Sequence, residues 1–222
     1  MVATYTKYIL DFKRPSGTSR GILTQKETWF IILKQGEKVG IGECGLLRGL
    51  SCDDVPQYEE TLQWACQNID LGLVHLWQEL LEFPSIQFGL EQAFLSLEAE
   101  GPFEIFPSTF SKGNDTIPIN GLIWMGDTEF MLSQVAEKLA QGFRCIKMKI
   151  GAIDFASELH ILETIRSSYP QETIELRVDA NGAFSPTEAL DRLKTLAQFD
   201  LHSIEQPIQQ GQWSQMARLC TK

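Results

Sequence analysis

The sequence contains few of the residues from which common transition-metal and redox motifs are built. Its three histidines, His75, His160 and His202, form neither an H-x-x-x-H nor an H-E-x-x-H pattern. Its five cysteines are an odd number without C-x-x-C spacing: Cys44, Cys52, Cys66, Cys145 and Cys220. These absences argue against a zinc motif and a disulfide framework, and they favour reduced, mostly buried thiols of a cytosolic protein.

Long apolar runs and an excess of positive charge are also missing. The longest aliphatic and aromatic run, Trp29–Leu33, is far too short to span a bilayer, and the first residues do not form a signal-peptide pattern. The net charge of −10 argues against nucleic acid and against anionic membrane surfaces as partners. We therefore expect a cytoplasmic globular protein, and the sequence leaves open whether it forms a homo-oligomer.

The first half of the chain has the pattern of a sheet followed by helices. Strands are predicted over 2–14 and 28–45, the latter turning back on itself at Gln35-Gly36-Glu37. Helices are predicted over 54–68, 71–82 and 85–101. This order is typical of an α+β domain, predicted to occupy residues 1–110.

Two segments of this half lack a regular pattern. The polar stretch 14–21 is predicted to be a loop, either a plain connection or a mobile lid. Gly40-Ile41-Gly42 loosely resembles a phosphate-binding loop, but it lacks G-x-x-x-x-G-K-[ST] and falls in the predicted hairpin. We therefore do not interpret it as a phosphate site.

In the second half, 111–222, strands and helices alternate. Strands are predicted over 117–124, 144–150, 174–179 and 201–205, with helices over 127–141 and 154–169 and further helices after 185 and 212. Asp127 is the predicted N-cap of the first helix, and Ser185-Pro186-Thr187-Glu188 is a predicted capping box. The pattern predicts an α/β fold, namely about four βα units that form the first half of a (β/α) barrel.

Charged side chains occur at the ends of three successive predicted strands. Because strand side chains alternate between faces, Lys147 and Lys149 share one face, as do Arg177 and Asp179. Lys149 precedes Asp179 by 30 residues and Asp179 precedes Glu205 by 26, each about one βα unit. The carboxyl ends of parallel barrel strands meet on the face that carries active sites. Two carboxylates beside two lysines indicate a hard cation, Mg2+ rather than zinc, facing a cationic acid or base.

Each of these features has a simpler interpretation when it is taken alone. A K-x-K pair could be an exposed strand, Asp179 before Ala-Asn-Gly could form a turn, and Glu205 could mark a strand end. Their common position at the same end of consecutive strands favours a joint site. Arg177 could equally form an ion pair with Glu175 or support a metal ligand.

The motifs K-x-K (147–149), V-D-A-N (178–181) and E-Q-P (205–207) resemble those of the enolase superfamily, in its muconate-lactonizing-enzyme-like branch. Within that branch, I-N-G-L-I-W-M-G (119–126) and G-I-G-E-C-G-L-L-R-G-L-S (40–51) are most similar to the o-succinylbenzoate synthase family of menaquinone biosynthesis. The resemblance runs through the whole chain.

The resemblance implies a capping domain over 1–110, a barrel from 111, and a Mg2+-dependent hydro-lyase. In that family, 2-succinyl-6-hydroxy-2,4-cyclohexadiene-1-carboxylate is dehydrated to o-succinylbenzoate. Lys149 and Lys147 would be the catalytic residues, the first as the base and the second as a contact to the substrate carboxylate. Asp179 and Glu205 would be the metal ligands, as in the use of Mg2+ with a lysine base elsewhere in the superfamily.

The resemblance also implies three substrate-binding residues, Arg20, Asn120 and Asn181, with Arg177 in support. It requires a third carboxylate and a further lysine roughly 25 and 50 residues after Glu205 by the spacing of one βα unit, so the barrel is expected to be truncated about halfway. The alternatives are an N-acylamino acid racemase or dipeptide epimerase of the same superfamily, or a catalytically inactive truncated fragment.

Overall fold

This computed structural model describes residues 1–18 and 21–221. These residues contain two β-sheets and seven α-helices. The chain divides into two units. The first contains Met1–Pro15 and Leu23–Ile117, and the described part of 16–22, at the ends of two strands, is grouped with the residues from Pro118 onward in the second.

The first unit is a three-stranded sheet followed by three α-helices. Its strands are β1 (Val2–Thr18), β2 (Gly21–Gln35) and β3 (Lys38–Gly45), in that spatial order, and its helices are α1 (Tyr58–Gln67), α2 (Leu73–Glu79) and α3 (Pro84–Glu98). β2 and β3 are antiparallel, with Thr28 opposite Gly45 and Gln35 opposite Lys38. The predicted hairpin and the predicted order of sheet and helices are confirmed.

The first two strands are longer than predicted. β1 continues through Thr18 and β2 begins at Gly21, so a loop over 14–21 was the wrong prediction for most of that stretch. β1 lies at the edge of its sheet, where proline is tolerated because its missing N–H leaves no internal ladder bond unmade. Pro15 therefore does not end the strand. Ser19 and Arg20 lie outside the described residues.

The glycines at 40–42 let β3 and α3 approach closely. A Cβ atom added to Gly42 would overlap the backbone carbonyl of Gly89, and one added to Gly40 would overlap that of Ala93. Ile41 lies between them and donates its backbone N–H to Ser96 Oγ at 2.9 Å. The G-I-G pattern thus serves helix–strand packing.

We expect Gly42→Ala to destabilise this unit, because the new methyl group must displace the α3 backbone from β3. Overpacking of this kind costs about 1–3 kcal/mol. Urea denaturation measures the effect, and Gly101→Ala is the matched control because a Cβ atom there meets nothing within 4 Å. If Gly42→Ala and Gly101→Ala had the same denaturation midpoint, the close approach would not be a packing constraint.

The second unit is a parallel sheet whose strands alternate with helices. The strands are β4 (Gly121–Ile123), β5 (Cys145–Lys149), β6 (Glu175–Asp179) and β7 (Ser203–Glu205), in sequential spatial order. The helices are α4 (Thr128–Ala140), α5 (Phe155–Ser168), α6 (Ala189–Leu196) and α7 (Trp213–Cys220). All three strand pairs are parallel, which confirms the four predicted βα units.

One face of this sheet forms the core and the other carries charge. Ile146 and Met148 of β5 and Leu176 and Val178 of β6 are buried in one cluster. The same cluster contains helix residues Met131, Val135, Ile161, Leu162 and Ile165. Cys145, Lys147 and Lys149 alternate with the buried residues of β5, as the pattern predicted.

The helix starts agree with the sequence at α4 and differ at α6. Asp127 caps α4, since its side chain accepts a hydrogen bond from Phe130 N at 2.8 Å. At the predicted capping box, both the carbonyl and the hydroxyl of Ser185 accept from Glu188 N. These bonds close a separate turn, so α6 begins only at Ala189 rather than directly after Ser185.

Arg166 joins the end of α5 to the starts of β6 and β7. Its guanidinium donates to four backbone carbonyls: Phe199 and Ile174 at 2.7 Å, Asp200 at 2.9 Å and Tyr169 at 3.3 Å. Two of these carbonyls precede β6 and two precede β7. A single fork of donors thus stabilises the register of the strands that carry the charged residues.

The cysteines do not follow the expectation of mostly buried thiols. All five are free, but only Cys44 and Cys66 are buried, whereas Cys52 and Cys220 are exposed.

Along residues 1–18 and 21–221, no helix combines the length and the apolar character needed to cross a bilayer.

Candidate active site

The parallel register brings the charged strand ends together. Lys149 lies opposite Asp179, which in turn lies opposite Glu205 on the next strand. Lys149 Nζ is 3.3 Å from Asp179 Oδ2, and Lys147 Nζ is 3.7 Å from the same oxygen. Lys147 also forms an ion pair with Glu205. Two lysines and two carboxylates therefore form one connected cluster at the carboxyl ends of β5, β6 and β7.

Burial differs strongly within this cluster. The side chain of Asp179 is 4% exposed, against 16% for Lys149 and 22% for Lys147, whereas that of Glu205 is 60% exposed. A buried carboxylate is costly unless cations or donors compensate its charge. Asp179 is thus the charge-balanced centre of the cluster, and Glu205 lies at its solvent-exposed rim.

Asn181 links the central carboxylate to Lys149. Its backbone N–H and its side-chain amide both donate to Asp179 Oδ1, the former at 3.0 Å. Its Oδ1 accepts from Lys149 Nζ at 2.9 Å. Asn181 adopts φ +47°, a left-handed conformation that asparagine tolerates better than most residues. This local turn explains why the sequence reads Asp-Ala-Asn-Gly at the end of β6.

A cleft of about 680 Å³ opens where β4–β7 end. Its walls are formed by residues that directly follow the four strands, including Met125, Gly151, Asn181 and Gln206. Gln209 and Gln210 extend it beyond β7. The sequence interpretation did not single out these glutamines. Gln206 is the middle residue of the E-Q-P motif, and the chain turns there with φ +43°.

Arg177 is engaged with Glu175 rather than with the central carboxylate. Its Nε donates to Glu175 Oε1 at 2.6 Å, and this bond lowers the pKa of the Glu175 carboxyl below its usual value. Cys145 Sγ donates to the same oxygen at 3.4 Å. Of the two interpretations left open by the sequence, the ion pair with Glu175 describes the contact that is present.

Two further predicted site residues do not join the cluster. Asn120 comes one residue before β4, whose first residue Gly121 lies opposite Ile146, so Asn120 is at the amino end of the sheet. This placement argues against the predicted substrate contact by Asn120, because Lys149 is at the other end. Arg20 lies outside the described residues.

Comparison with known proteins agrees with this architecture. A family model described as enolase C-terminal domain-like matches residues 131–222. The o-succinylbenzoate synthase of Desulfotalea psychrophila is 44% identical over an alignment of 251 positions, gaps included, which covers 99% of this chain and 68% of that protein.

Solved structures give the same picture. The crystal structure of MenC from Desulfotalea psychrophila LSv54 superposes with a TM-score of 0.86 at 38% identity, covering 100% of this chain and 68% of that one. The o-succinylbenzoate synthase of Thermosynechococcus elongatus BP-1, solved with Mg in its active site, gives a TM-score of 0.79 at 22% identity. That superposition covers 100% of this chain and 66% of that one, and it shows a common fold.

The alignments cover different shares of this chain and of its relatives. The chain spans about two thirds of the length of these relatives, while nearly all of its own residues are matched. The chain belongs to the o-succinylbenzoate synthase family, within the enolase superfamily.

Proposed function

We propose that the protein acts as a Mg2+-dependent carbon–oxygen lyase that dehydrates 2-succinyl-6-hydroxy-2,4-cyclohexadiene-1-carboxylate to o-succinylbenzoate, in the cytoplasm and as a step of menaquinone biosynthesis. The observation that carries this proposal is the cluster of Lys147, Lys149, Asp179 and Glu205 at adjacent strand ends. In the same proposal, residues 1–110 serve as a capping domain and 111–222 as a partial barrel.

The reaction requires a base of the kind that Lys149 provides. A proton on the carbon next to a carboxylate is very weakly acidic, so its removal needs a base placed within hydrogen-bond reach. Lys149 would take that proton and then return it to the departing hydroxyl, which leaves as water while the ring becomes aromatic. Lys147 would hold the substrate carboxylate by charge, and Asn181 would orient the Lys149 side chain, which accepts the proton as a neutral amine, through the 2.9 Å bond.

The residues present are suitable for binding Mg2+. Asp179 and Glu205 are carboxylates in register on neighbouring strands, and two lysine ammonium groups already lie against them. Mg2+ is commonly held by one or two carboxylates together with water and substrate oxygens. Along the described residues no group of three or more potential metal-binding side chains occurs, so at most these two carboxylates would hold the ion here. Bound there, Mg2+ would stabilise negative charge on the substrate carboxylate.

An activity assay with defined metal content tests the proposal. The chain is incubated with the cyclohexadiene substrate and Mg2+, and formation of the aromatic product is followed by its ultraviolet absorbance, with a chelator-treated sample as the control. A parallel incubation with N-acylamino acids and dipeptides in deuterated water tests the racemase and epimerase alternatives. Deuterium incorporation without dehydration would contradict the proposed reaction.

For Arg20 we keep the role of a substrate contact, because the resemblance to the family supports it. Arg20→Ala is then expected to raise KM about tenfold, the effect of losing one charge-assisted hydrogen bond, with Mg2+ affinity unaltered. Steady-state kinetics and calorimetry measure the two quantities. Lys13→Ala removes an exposed charge of the same sign from β1 and serves as the control. Identical KM values for Arg20→Ala and Lys13→Ala would remove Arg20 from the substrate site.

A further inference from the structure

The turn that follows Lys149 is bonded to a buried acid in the next helix. Glu158 lies in the first turn of α5 and is only 1% exposed. Its Oε1 accepts a hydrogen bond from Gly151 N at 2.6 Å, while Oε2 has no hydrogen-bond partner among the described residues. Glu158 therefore reaches back across the β5–α5 turn to the second residue after Lys149.

The opposite side of the same turn packs on the residues that follow Asp179. Ile150 donates its N–H to the carbonyl of Asp179 at 2.8 Å. Gly151 has φ +92°, and a Cβ atom there would overlap Ala183 in the loop after β6. The turn thus has the Asp179–Ala183 segment on one side and Glu158 on the other, with little space to shift.

The surroundings of Glu158 explain why an acid occupies this position. Burial raises the pKa of its carboxyl, and the backbone amides of Gly151, Ile153 and Ala152, together with the charge of Arg192, lower it. The backbone N–H of Gly151 is matched by a group that only accepts hydrogen bonds, which is the property of a carboxylate. A glutamine would retain one acceptor oxygen but would direct N–H donors toward other amides.

We infer that Glu158 is a positioning residue for Lys149: by fixing the β5–α5 turn through Gly151, it holds the Lys149 side chain against Asp179 and Asn181. This inference rests on the proposed function, in which Lys149 is the base. The alternative is that Glu158 only stabilises the fold, in which case its removal would lower stability and leave the surroundings of Lys149 unchanged in the folded protein.

Nuclear magnetic resonance of the full chain distinguishes a positioning role of Glu158 from a purely stabilising one. The side-chain methylene signal of Lys149 is observed in protein labelled with ¹³C-lysine and is assigned by its absence in Lys149→Arg. Amide hydrogen exchange of Gly151 is followed in the same samples. The variants are Glu158→Leu and Glu158→Gln, and the control is Glu163→Gln, an exposed glutamate of the same helix. Lys194, which is exposed on α6, supplies a reference signal.

For Glu158→Leu we expect exchange of the Gly151 amide to accelerate at least about tenfold, because a hydrogen bond to a charged acceptor is lost. The Lys149 signal should shift while that of Lys194 stays in place. Glu158→Gln should change both observables in the same direction but less, and it is the deciding variant if Glu158→Leu does not fold. Glu163→Gln should change neither. Loss of Gly151 protection with an unmoved Lys149 signal, in either variant, would overturn the inference.

Turnover gives a second readout that depends on the proposed function. In active protein, Glu158→Gln should lower kcat with KM and Mg2+ affinity unaltered, because only the placement of the base changes. If the unsubstituted protein does not dehydrate the substrate, the proposed function fails, yet the Lys149 and Gly151 signals still decide the positioning role.

Discussion

Lys149→Ala is expected to abolish proton abstraction while leaving Mg2+ binding largely intact. Of Lys147 and Lys149, it is Lys149 that donates a hydrogen bond to Asn181, and the alanine removes this group. A general base of this kind contributes about 10²–10⁴-fold to the rate. Asp179 keeps its bonds from Asn181 and its proximity to Lys147, so the carboxylates should stay in place. Turnover at saturating Mg2+ and metal affinity by calorimetry measure the two effects.

A second substitution at this position distinguishes the base from its charge. Lys149→Arg preserves a cation beside Asp179, but a guanidinium does not lose its proton in a protein and cannot act as a base. We therefore expect Lys149→Arg to be as inactive as Lys149→Ala, whereas Lys194→Ala on exposed α6 should behave as the unsubstituted protein. Near-normal turnover in either Lys149 variant would show that another group abstracts the proton.

The sequence predicted the charged cluster because alternation and spacing are enough to define it. A strand that ends in Lys-Met-Lys must place both lysines on one face, and βα units of similar length must align their ends. The observed register, with Lys149 opposite Asp179 and Asp179 opposite Glu205, is the direct result. The opposite face of the sheet was equally predictable. Ile146, Met148 and Leu176 make that face apolar, and the helices pack against it.

Positions that depend on three-dimensional neighbours were not predictable in this way. The resemblance to the family implied that Asn120 contacts substrate, and the pattern placed it inside a strand over 117–124, whereas β4 starts only at Gly121 and ends at Ile123. Glu158 looks like an ordinary charged helix residue until the turn at Gly151 folds back over it. Arg166 is similar, since its four carbonyl partners come from loops that precede two later strands.

Asp179→Asn is expected to weaken Mg2+ binding more than Glu205→Gln does. Both substitutions replace a charged oxygen donor by a neutral one, which a hard dication binds less well. Asp179 is nearly fully buried and lies within 4 Å of both lysines, whereas Glu205 is mostly exposed and pairs with Lys147 alone. With Asp179 neutral, the ammonium groups of Lys147 and Lys149 would face the incoming cation with only the Glu205 charge to offset them.

Calorimetric titration of Mg2+ into the two variants tests this order. A loss of about tenfold or more is expected for Asp179→Asn, of the size seen when groups around a bound metal are removed, and a smaller loss for Glu205→Gln. Glu163→Gln controls for the change in net charge, because it removes an exposed carboxylate far along α5 from these strand ends. Unchanged affinity in both variants would remove these carboxylates from the metal site. A larger loss for Glu205→Gln would instead place the ion at the exposed rim, since the buried charge of Asp179 would then serve the lysines and not the metal.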